Sequence, residues 1–417
     1  MATDTADAPS LDRPHDAIGA VRARVEPGGP PPGYVGRHVC SVAYTHYRSD
    51  PRVRREAEAL RWRGDHVTVL ALHEAGSPLV DDVDGVTVIG LPVERHRSHD
   101  VGGYLTSYGR FFARAAAHLT RHPRRYAFVH VHSLPEAMVF AAFAPKLARR
   151  PVVLDVHDLS TEVYASRIGT VPAFVRWAER LSLRFADRVV TVHDDYRDRI
   201  IARGVRRDAV TVVLNTPDDR VFPLLEPVTP KRPPTLIYHG TIVERYGLGV
   251  AVRAMAEVRH RIPGVRLELI GGGDFRPELA RLVAELELEE SVHLSEGSLP
   301  VDAIPDLVRA ADVGVVPFVD DPFTRAILPT KLLEYVRMGR PVIVSRNPVI
   351  ERYFGDEDVY FVEPGDVSGV ALAIEQINAD PTEAAQRATR AQRFFDEHAW
   401  PSVRANFLAL TDEVAPR

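Results

Sequence analysis

From Arg37 onward, short runs of Val, Ile and Leu alternate with longer segments of helical period. The alternation stops once, at Pro217, Pro223, Pro227, Pro230, Pro233 and Pro234, and then starts again. A strand buried on both faces reads as an unbroken apolar run, and a helix between two such strands sets them parallel in one sheet. Before the prolines the runs are Val39 to Ala43, Val67 to Leu72, Val86 to Ile89, Phe128 to Val131, Val152 to Val156, Val189 to Val192 and Val210 to Leu214. After them come Leu236 to Tyr238, Val265 to Ile270, Val292 to Leu294, Asp312 to Val316 and Val342 to Val344. The pattern predicts an α/β fold of two doubly wound, Rossmann-like domains facing each other across a cleft. The N-terminal domain is expected over 36–217, a hinge linker over 218–234, the C-terminal domain over 235–396 and a last helix at about 397–417. A chain of 417 residues is long enough for two cores. Residues 1–35 lack periodicity, carry a Pro/Gly run from Pro27 to Gly33, and are expected to form a disordered arm.

Composition excludes several function classes. The formal net charge of -5 gives no basic field for nucleic acid. One cysteine, Cys40, allows neither a disulfide framework nor a thiolate metal site. No apolar run approaches the ~20 residues that span a bilayer, and the polar, acidic start is unlike a signal peptide, so a cytoplasmic protein is expected. His130 and His132 flank Val131 and are read as facing opposite ways, which argues against a metal pair; no other metal-ligand spacing stands out. There is no Walker A run. No G-x-G-x-x-G follows the first strand, where Tyr44 to Asp50 stands instead, so a dinucleotide oxidoreductase is least favoured.

In doubly wound sheets ligands bind beyond the carboxyl ends of the strands, and between two such domains the natural site is the cleft. The polar residues just after strands are therefore the candidates. The most telling stretch is Leu328 to Ser345, LPTKLLEYVRMGRPVIVS. Leu332, Leu333 and Val336 can face a core, while Lys331, Glu334 and Arg337 can line an opening. Lys331 sits where a loop meets a helix N-terminus, which favours an anion. The Glu334 carboxylate, one turn on, suits the two hydroxyls of a ribose. The plainer reading is a solvated i,i+3 pair. Gly240 and Thr241 follow another strand, and Arg245 on the same loop can pair with a diphosphate through its planar fork or lie on the surface beside Glu244. Gly271, Gly272 and Gly273 can let backbone approach a phosphate or a sugar closely, or make a tight turn. Ser295, Glu296 and Gly297 can offer main-chain groups to a base edge. His157, followed by Asp158, can orient a hydroxyl or carry a proton.

Taken in order, these motifs resemble the retaining glycosyltransferase family 4, which has the GT-B fold. The matching text is IYHGTIVERYGLGVAVRA, VRLELIGGGDF, ADVGVVPF and PTKLLEYVRMGRPVIV, with looser agreement in FVHVHS, VVLDVHD and ADRVVTVHDDYRDRIIARGV. The likeness covers roughly 37–412. It implies transfer of a sugar from a nucleotide-diphosphate sugar with retention of anomeric configuration, the donor held by the C-terminal domain. It also implies front-face attack, no cofactor beyond the donor substrate, and a last helix that crosses back to the N-terminal domain. By position, Glu334 matches the ribose-binding Glu, Gly271 to Gly273 the glycine turn near the diphosphate, and His157 the histidine near the transferred sugar. Three positions depart from the family pattern: Ala326 stands where a first Glu is usual, Thr241 replaces a common Arg, and Tyr246 replaces a common Lys. Arg245 and Lys331 are expected to supply the missing positive charge, so His157, Arg245 and Lys331 are the expected catalytic groups, without a metal.

Two other readings stay open on the same fold: a nucleotide-sugar isomerase and a non-catalytic nucleotide-sugar-binding protein. The expected acceptor is a glycan, a lipid-linked saccharide or a small molecule. Peripheral contact with the inner face of a membrane is a further expectation. Phe174, Trp177, Ala178, Leu181 and Phe185 form an apolar stripe beside Arg176, Arg180 and Arg184, and Phe111 and Phe112 neighbour Arg110 and Arg114. The plainer alternative packs the stripe on the sheet and leaves the arginines solvated.

Overall fold

The structure, a computed structural model, describes residues 33–94, 101–297 and 299–415. The expected N-terminal arm falls almost wholly outside them. The N-terminal sheet contains β1 (His38–Val42), β2 (His66–Leu72), β3 (Val80–Val83), β4 (Val86–Leu91), β5 (Phe128–His132), β6 (Val152–Val156), β7 (Arg188–Thr191) and β8 (Val210–Val212). Their spatial order is β3-β4-β2-β1-β5-β6-β7-β8. Every neighbouring pair is parallel except β3 and β4, a hairpin at one edge. The C-terminal sheet contains β9 (Thr235–His239), β10 (Arg266–Ile270), β11 (Val292–Leu294), β12 (Val313–Val316), β13 (Val342–Ser345) and β14 (Tyr360–Val362), ordered β11-β10-β9-β12-β13-β14 and wholly parallel. β5, β6, β12 and β13 are buried along their whole length, the physical reason β6, β12 and β13 are mostly Val, Ile and Leu, while β5 adds His130 and His132 to its apolar residues. The strand order reverses beside β1 in one sheet and beside β9 in the other. Each reversal opens a crevice at the carboxyl ends.

Helices of the N-terminal half are α1 (Pro51–Trp62), α2 (Val101–Arg121), α3 (Phe143–Leu147), α4 (Ser160–Ile168), α5 (Ala173–Phe185) and α6 (Asp194–Ala202). Those of the C-terminal half are α7 (Leu248–Val258), α8 (Arg276–Glu285), α9 (Ile304–Ala310), α10 (Thr330–Arg337), α11 (Val367–Ala379), α12 (Pro381–Ala391), α13 (Phe394–His398) and α14 (Trp400–Val414). Local chemistry starts several of them. Asp50 accepts from the Val53 backbone N–H at 3.1 Å, with Pro51 in the first turn of α1. Asp366 and Asp380 cap α11 and α12 in the same way.

α14 returns to the N-terminal domain and packs on α1. Arg63 donates to the Leu408 carbonyl (3.0 Å) and to Thr411 Oγ1 (2.8 Å), and both Arg37 and Arg63 pair with Asp412. The proline-rich segment is not a free tether. Its Leu225 and Val228 N–H groups donate to the carbonyls of Arg337 and Gly339, just past the end of α10.

Several expectations change. The sequence from Leu134 to Leu147 reads as one helix, whereas the chain there forms a 3-10 segment, Glu136–Ala142, followed by the short α3. β3, β14 and α4 were not foreseen; β3 and β14 are three- or four-residue edge strands, too short for a clear period. On α5 the helix turns Val175, Glu179, Ser182 and Leu183 inward, and the start of the expected apolar stripe is not packed on the sheet: Phe174 and Trp177 are each 65% exposed, while Phe185 at its end packs against the core. The inward polar Glu179 is held by Arg203 and by the Thr161 N–H, which lets the less apolar face pack. Arg337 does not line an opening. It is buried, donating to the Phe222 carbonyl (2.6 Å) and pairing with Asp219 (3.1 Å).

Candidate active site

A cavity of about 360 Å³ lies between the two domains at the carboxyl ends of both sheets. Asp50 and Arg52 of the first βα connection, His157, Asp158, His193 and Asn215 line it from the N-terminal side. Tyr238, Tyr246, Phe318 and the stretch from Ala326 to Lys331 line it from the other.

Lys331 enters this cavity from the first turn of α10. Its stem lies against the Gly240 turn, where a Cβ would come 2.5 Å from Lys331 Cε, and Gly240 has φ +118°. Its ammonium stands 5.3 Å from the centre of the Tyr238 ring and 5.2 Å from that of Tyr246. Burial pulls the ammonium below the usual lysine range, against the opposing pull of Glu334. The site therefore holds a preorganised cation that the chain only partly neutralises, beside a helix N-terminus.

Glu334 lies one turn on, with Oε2 3.1 Å from His239 Nε2. That contact gives neither atom a hydrogen bond, and since Oε2 is buried, Oε1 is the oxygen left for a hydroxyl. Glu334 is not among the residues lining the cavity, whereas Lys331 of the same helix is.

The glycine turn has a different immediate task from the one expected. Gly271 (φ +152°) and Gly273 (φ +157°) are pressed against the carbonyls of Gly240 and Ile242, with no room for a Cβ. The close approach is between the two loops that follow β9 and β10, locked by the Gly240 N–H to Ile270 O (2.8 Å) and Ile242 N–H to Gly272 O (2.9 Å) bonds. Thr241 sits on this crossing and is exposed. Ser295 is buried and occupied: its Oγ accepts from Gly271 N–H at 2.9 Å, and its carbonyl takes the Arg276 fork at 2.9 and 2.7 Å. Glu296 beside it is exposed. Arg276, not singled out from sequence, thus shapes the end of the C-terminal crevice.

Arg245 departs most from expectation. It does not line the cavity. Its guanidinium donates to Ser166 Oγ of α4 across the cleft (2.8 Å) and lies 5.5 Å from the Phe323 ring centre, while Ser166 donates to Asp321 (2.5 Å). With Arg352–Asp198 (3.0 Å) and Tyr353–Asp194 (3.0 Å) it forms a polar seam between the domains. Of the two expected cations, only Lys331 faces the cavity in this conformation.

Behind His157 lies a buried polar cluster. His130 and His132 share a face of β5, their ring centres 4.3 Å apart, which corrects the expectation that they point opposite ways. In a strand the side chains have a period of two, so positions flanking one residue lie on the same side. Asp155 sits opposite His132 on β6, and α1 adds Arg52 and Glu56 from above. Donor atoms of Glu56, His130, His132 and Asp155 lie within 4.8 Å of one another, a set that could ligate a metal. Arg52 pairs with two members of this set. It grips both oxygens of Asp155 at 2.8 Å and stands 3.1 Å from Glu56 Oε1. Burial alone would push the Asp155 carboxyl up, but the Arg52 charge and the hydrogen bonds from His157 and His132 hold it well below the usual range. Burial pushes the Glu56 carboxyl well up, against the opposing pull of Arg52, and pulls His130 well down and His132 down, which favours neutral imidazoles. Single-sequence reading could have found the set from H-x-H on a buried strand, had the period been applied correctly.

Two sequence families match side by side: "Glycosyl transferase 4-like domain" over residues 49–216 and "Glycosyl transferases group 1" over residues 233–380. Glycogen synthase of Mycobacterium tuberculosis is 26% identical over 391 residues, 89% of each chain. The lipopolysaccharide core biosynthesis glycosyltransferase LpsE of Rhizobium meliloti is 30% identical over 54% of this chain and 62% of its own. Among solved structures, sucrose-phosphate synthase from Thermosynechococcus elongatus superposes with a TM-score of 0.73 at 21% identity, covering 91% of this chain and 99% of its own. Anabaena HepE in complex with UDP-glucose gives 0.68 at 15% identity, over 90% and 99%. With one matched domain on each side of the linker and two parallel sheets closing on one cleft, the chain belongs to the group 1 glycosyltransferases of the family 4 type, on the GT-B fold.

Proposed function

We propose that this chain transfers a sugar, with retention of anomeric configuration, from a nucleotide-diphosphate sugar to a hydroxyl of a glycan, a lipid-linked saccharide or a small molecule. The observation that carries the reading is the Lys331 ammonium, half-buried at the start of α10 and lining the interdomain cavity. In sugar transfer the bond between the anomeric carbon and the diphosphate oxygen breaks, and negative charge grows on the leaving group. Lys331 and the N–H groups of the first turn of α10 face that charge without reorganising. Glu334, with lone pairs unclaimed, takes the ribose diol, and main-chain groups near Ser295 take the base. The new bond joins the anomeric carbon to the acceptor oxygen, whose proton passes to the departing phosphate. Front-face attack is the reading favoured for retention, since Asp155 is locked by Arg52 and Asp50 caps α1, while burial raises the carboxyl of Asp158, the other cavity-lining carboxyl. The charge supplied by Lys331 supports a reaction that needs no metal, so turnover should survive a chelator. That HepE was solved with UDP-glucose supports a nucleotide sugar as donor.

A panel of nucleotide sugars in a thermal-shift assay, followed by release of free nucleoside diphosphate with and without acceptors, tests the reading. A donor should raise the melting temperature by mass action, and release should depend on the acceptor. An isomerase would convert the donor without an acceptor. Absence of any shift or turnover across the panel would overturn the proposal.

Membrane contact belongs to the same proposal. No helix among the described residues is long and apolar enough to cross a membrane. Instead α3 and α5 present Phe143 (56% exposed), Leu147 (72%), Phe174 and Trp177 (65% each) beside exposed Arg176, Arg180 and Arg184. Apolar side chains among basic ones suit the headgroup boundary of anionic lipid, each basic residue contributing about 1 kcal/mol. This surface would bring a lipid-linked acceptor to the cleft.

A further inference from the structure

His157 stands just beyond β6, two residues after Asp155, so the two side chains leave the strand on one side. His157 Nε2 lies 3.1 Å from Asp155 Oδ2, and its backbone N–H donates to Ser133 Oγ at 3.1 Å, which fixes the residue at both ends. Asp155 is fully buried and cannot swing away, because the Arg52 fork holds both its oxygens at 2.8 Å while Arg52 also donates to the Val213 carbonyl. An ionised carboxylate only accepts hydrogen bonds. A neutral imidazole facing it must therefore carry its proton on Nε2, and Nδ1 is left on the cavity side as an acceptor. One arrangement competes. His132 Nδ1 is 3.3 Å from His157 Nε2 and could donate to it, which would move the His157 proton to Nδ1. The same His132 nitrogen is 3.3 Å from Asp155 Oδ2, a charged and therefore stronger acceptor, and that contact leaves Asp155 collecting protons from Arg52, His132 and His157 together.

We propose that Asp155, clamped by Arg52, is a positioning residue that sets the Nε2–H tautomer of His157 and so turns His157 into a reader of hydroxyl groups. An unprotonated Nδ1 attracts an O–H and repels phosphate oxygens, which only accept. Lys331, across the cavity, does the reverse. Together the two side chains orient a nucleotide sugar, diphosphate toward the C-terminal domain and sugar toward the N-terminal one. This consequence rests on the transfer reading above; the tautomer does not.

The test uses the whole chain labelled with 15N in its histidine rings, without substrate, in long-range proton–nitrogen correlation spectra at mildly alkaline pH. His157→Gln identifies the His157 signals by their loss. An Nε2–H pattern for His157 is expected, and an Nδ1–H pattern overturns the proposal. In Asp155→Asn, with circular dichroism to show that it folds, the His157 pattern should shift toward Nδ1–H. A merely structural Asp155 would lower the melting temperature and leave the tautomer alone, which refutes the positioning role. His132→Phe supplies a second variant: the pattern should stay Nε2–H, and a change would assign control to His132 instead. Because all spectra come from the free chain, failure of the sugar-transfer reading leaves them unchanged, and the two can fail separately.

Discussion

Lys331→Met removes one charge and keeps the stem that fills the space beside Gly240. In the free protein this lysine is costly. Burial lowers its proton affinity, and the compensation is two aromatic faces at 5.2 and 5.3 Å and Glu334 one turn away. Each aromatic contact contributes about 0.5–2 kcal/mol, against several kcal/mol for stripping water from an ammonium. Methionine keeps contact with both rings and needs no such water. We expect the stability of the variant to lie within about 1 kcal/mol of the wild type, or above it. The sign with pH follows from the lowered lysine pKa. Between that value and the unfolded one the unfolded chain binds more protons, so wild-type stability rises with pH there and any advantage of methionine shrinks. Catalysis should move the other way. Loss of one preorganised group at a developing anion lowers turnover by about 10²–10³-fold, or about 2.7–4 kcal/mol. The assay is release of nucleoside diphosphate at saturating donor, beside thermal melts of the same preparations. Turnover within about threefold of wild type would remove Lys331 from the leaving group. A parallel fall in melting temperature and activity would make it a structural residue.

Glu334→Ala should weaken nucleotide binding by about 2 kcal/mol, since a ribose diol loses a charged acceptor, and unchanged affinity in calorimetry would refute that contact. Glu136 is buried against Ser160, and burial with the nearby Glu179 lifts its carboxyl from 4.5 to about 7. The folded chain then holds a proton that the unfolded chain has lost, so stability falls as pH rises from about 4.5 to about 7. Glu136→Gln should therefore gain about 3 kcal/mol relative to wild type between the ends of that window, and a pH-independent difference in chemical denaturation would refute it. Phe174→Ser with Trp177→Ser should abolish sedimentation with anionic vesicles at low salt, and a wild-type chain that stays in the supernatant sinks the membrane contact altogether.

Some of this protein is written in local sequence. β5, β6, β12 and β13 are legible because strands buried on both faces cannot carry polar residues except by special pairing, and the prolines mark where one sheet ends and the next begins. Lys331 and Glu334 could be placed because a strand, a loop and a helix start follow one another within about twenty residues. What spacing along the chain could not give was which residues meet from different elements. His132 and Asp155 lie opposite each other only because β5 and β6 pair in that register, and Arg52, which meets Glu56 within α1, reaches Asp155 only because the start of α1 comes up against β6. Arg245 could be assigned equally well to a diphosphate, and its place in the seam with Ser166 depends on how the domains close. On α5 the sequence shows an apolar stripe, yet Glu179 turns inward because Arg203 and the Thr161 N–H are there to receive it, and Phe174 and Trp177 are left facing out. Burial patterns are periodic along one element and can be read from it. Partners for buried charges come from elsewhere in the chain, so the tertiary structure decides them.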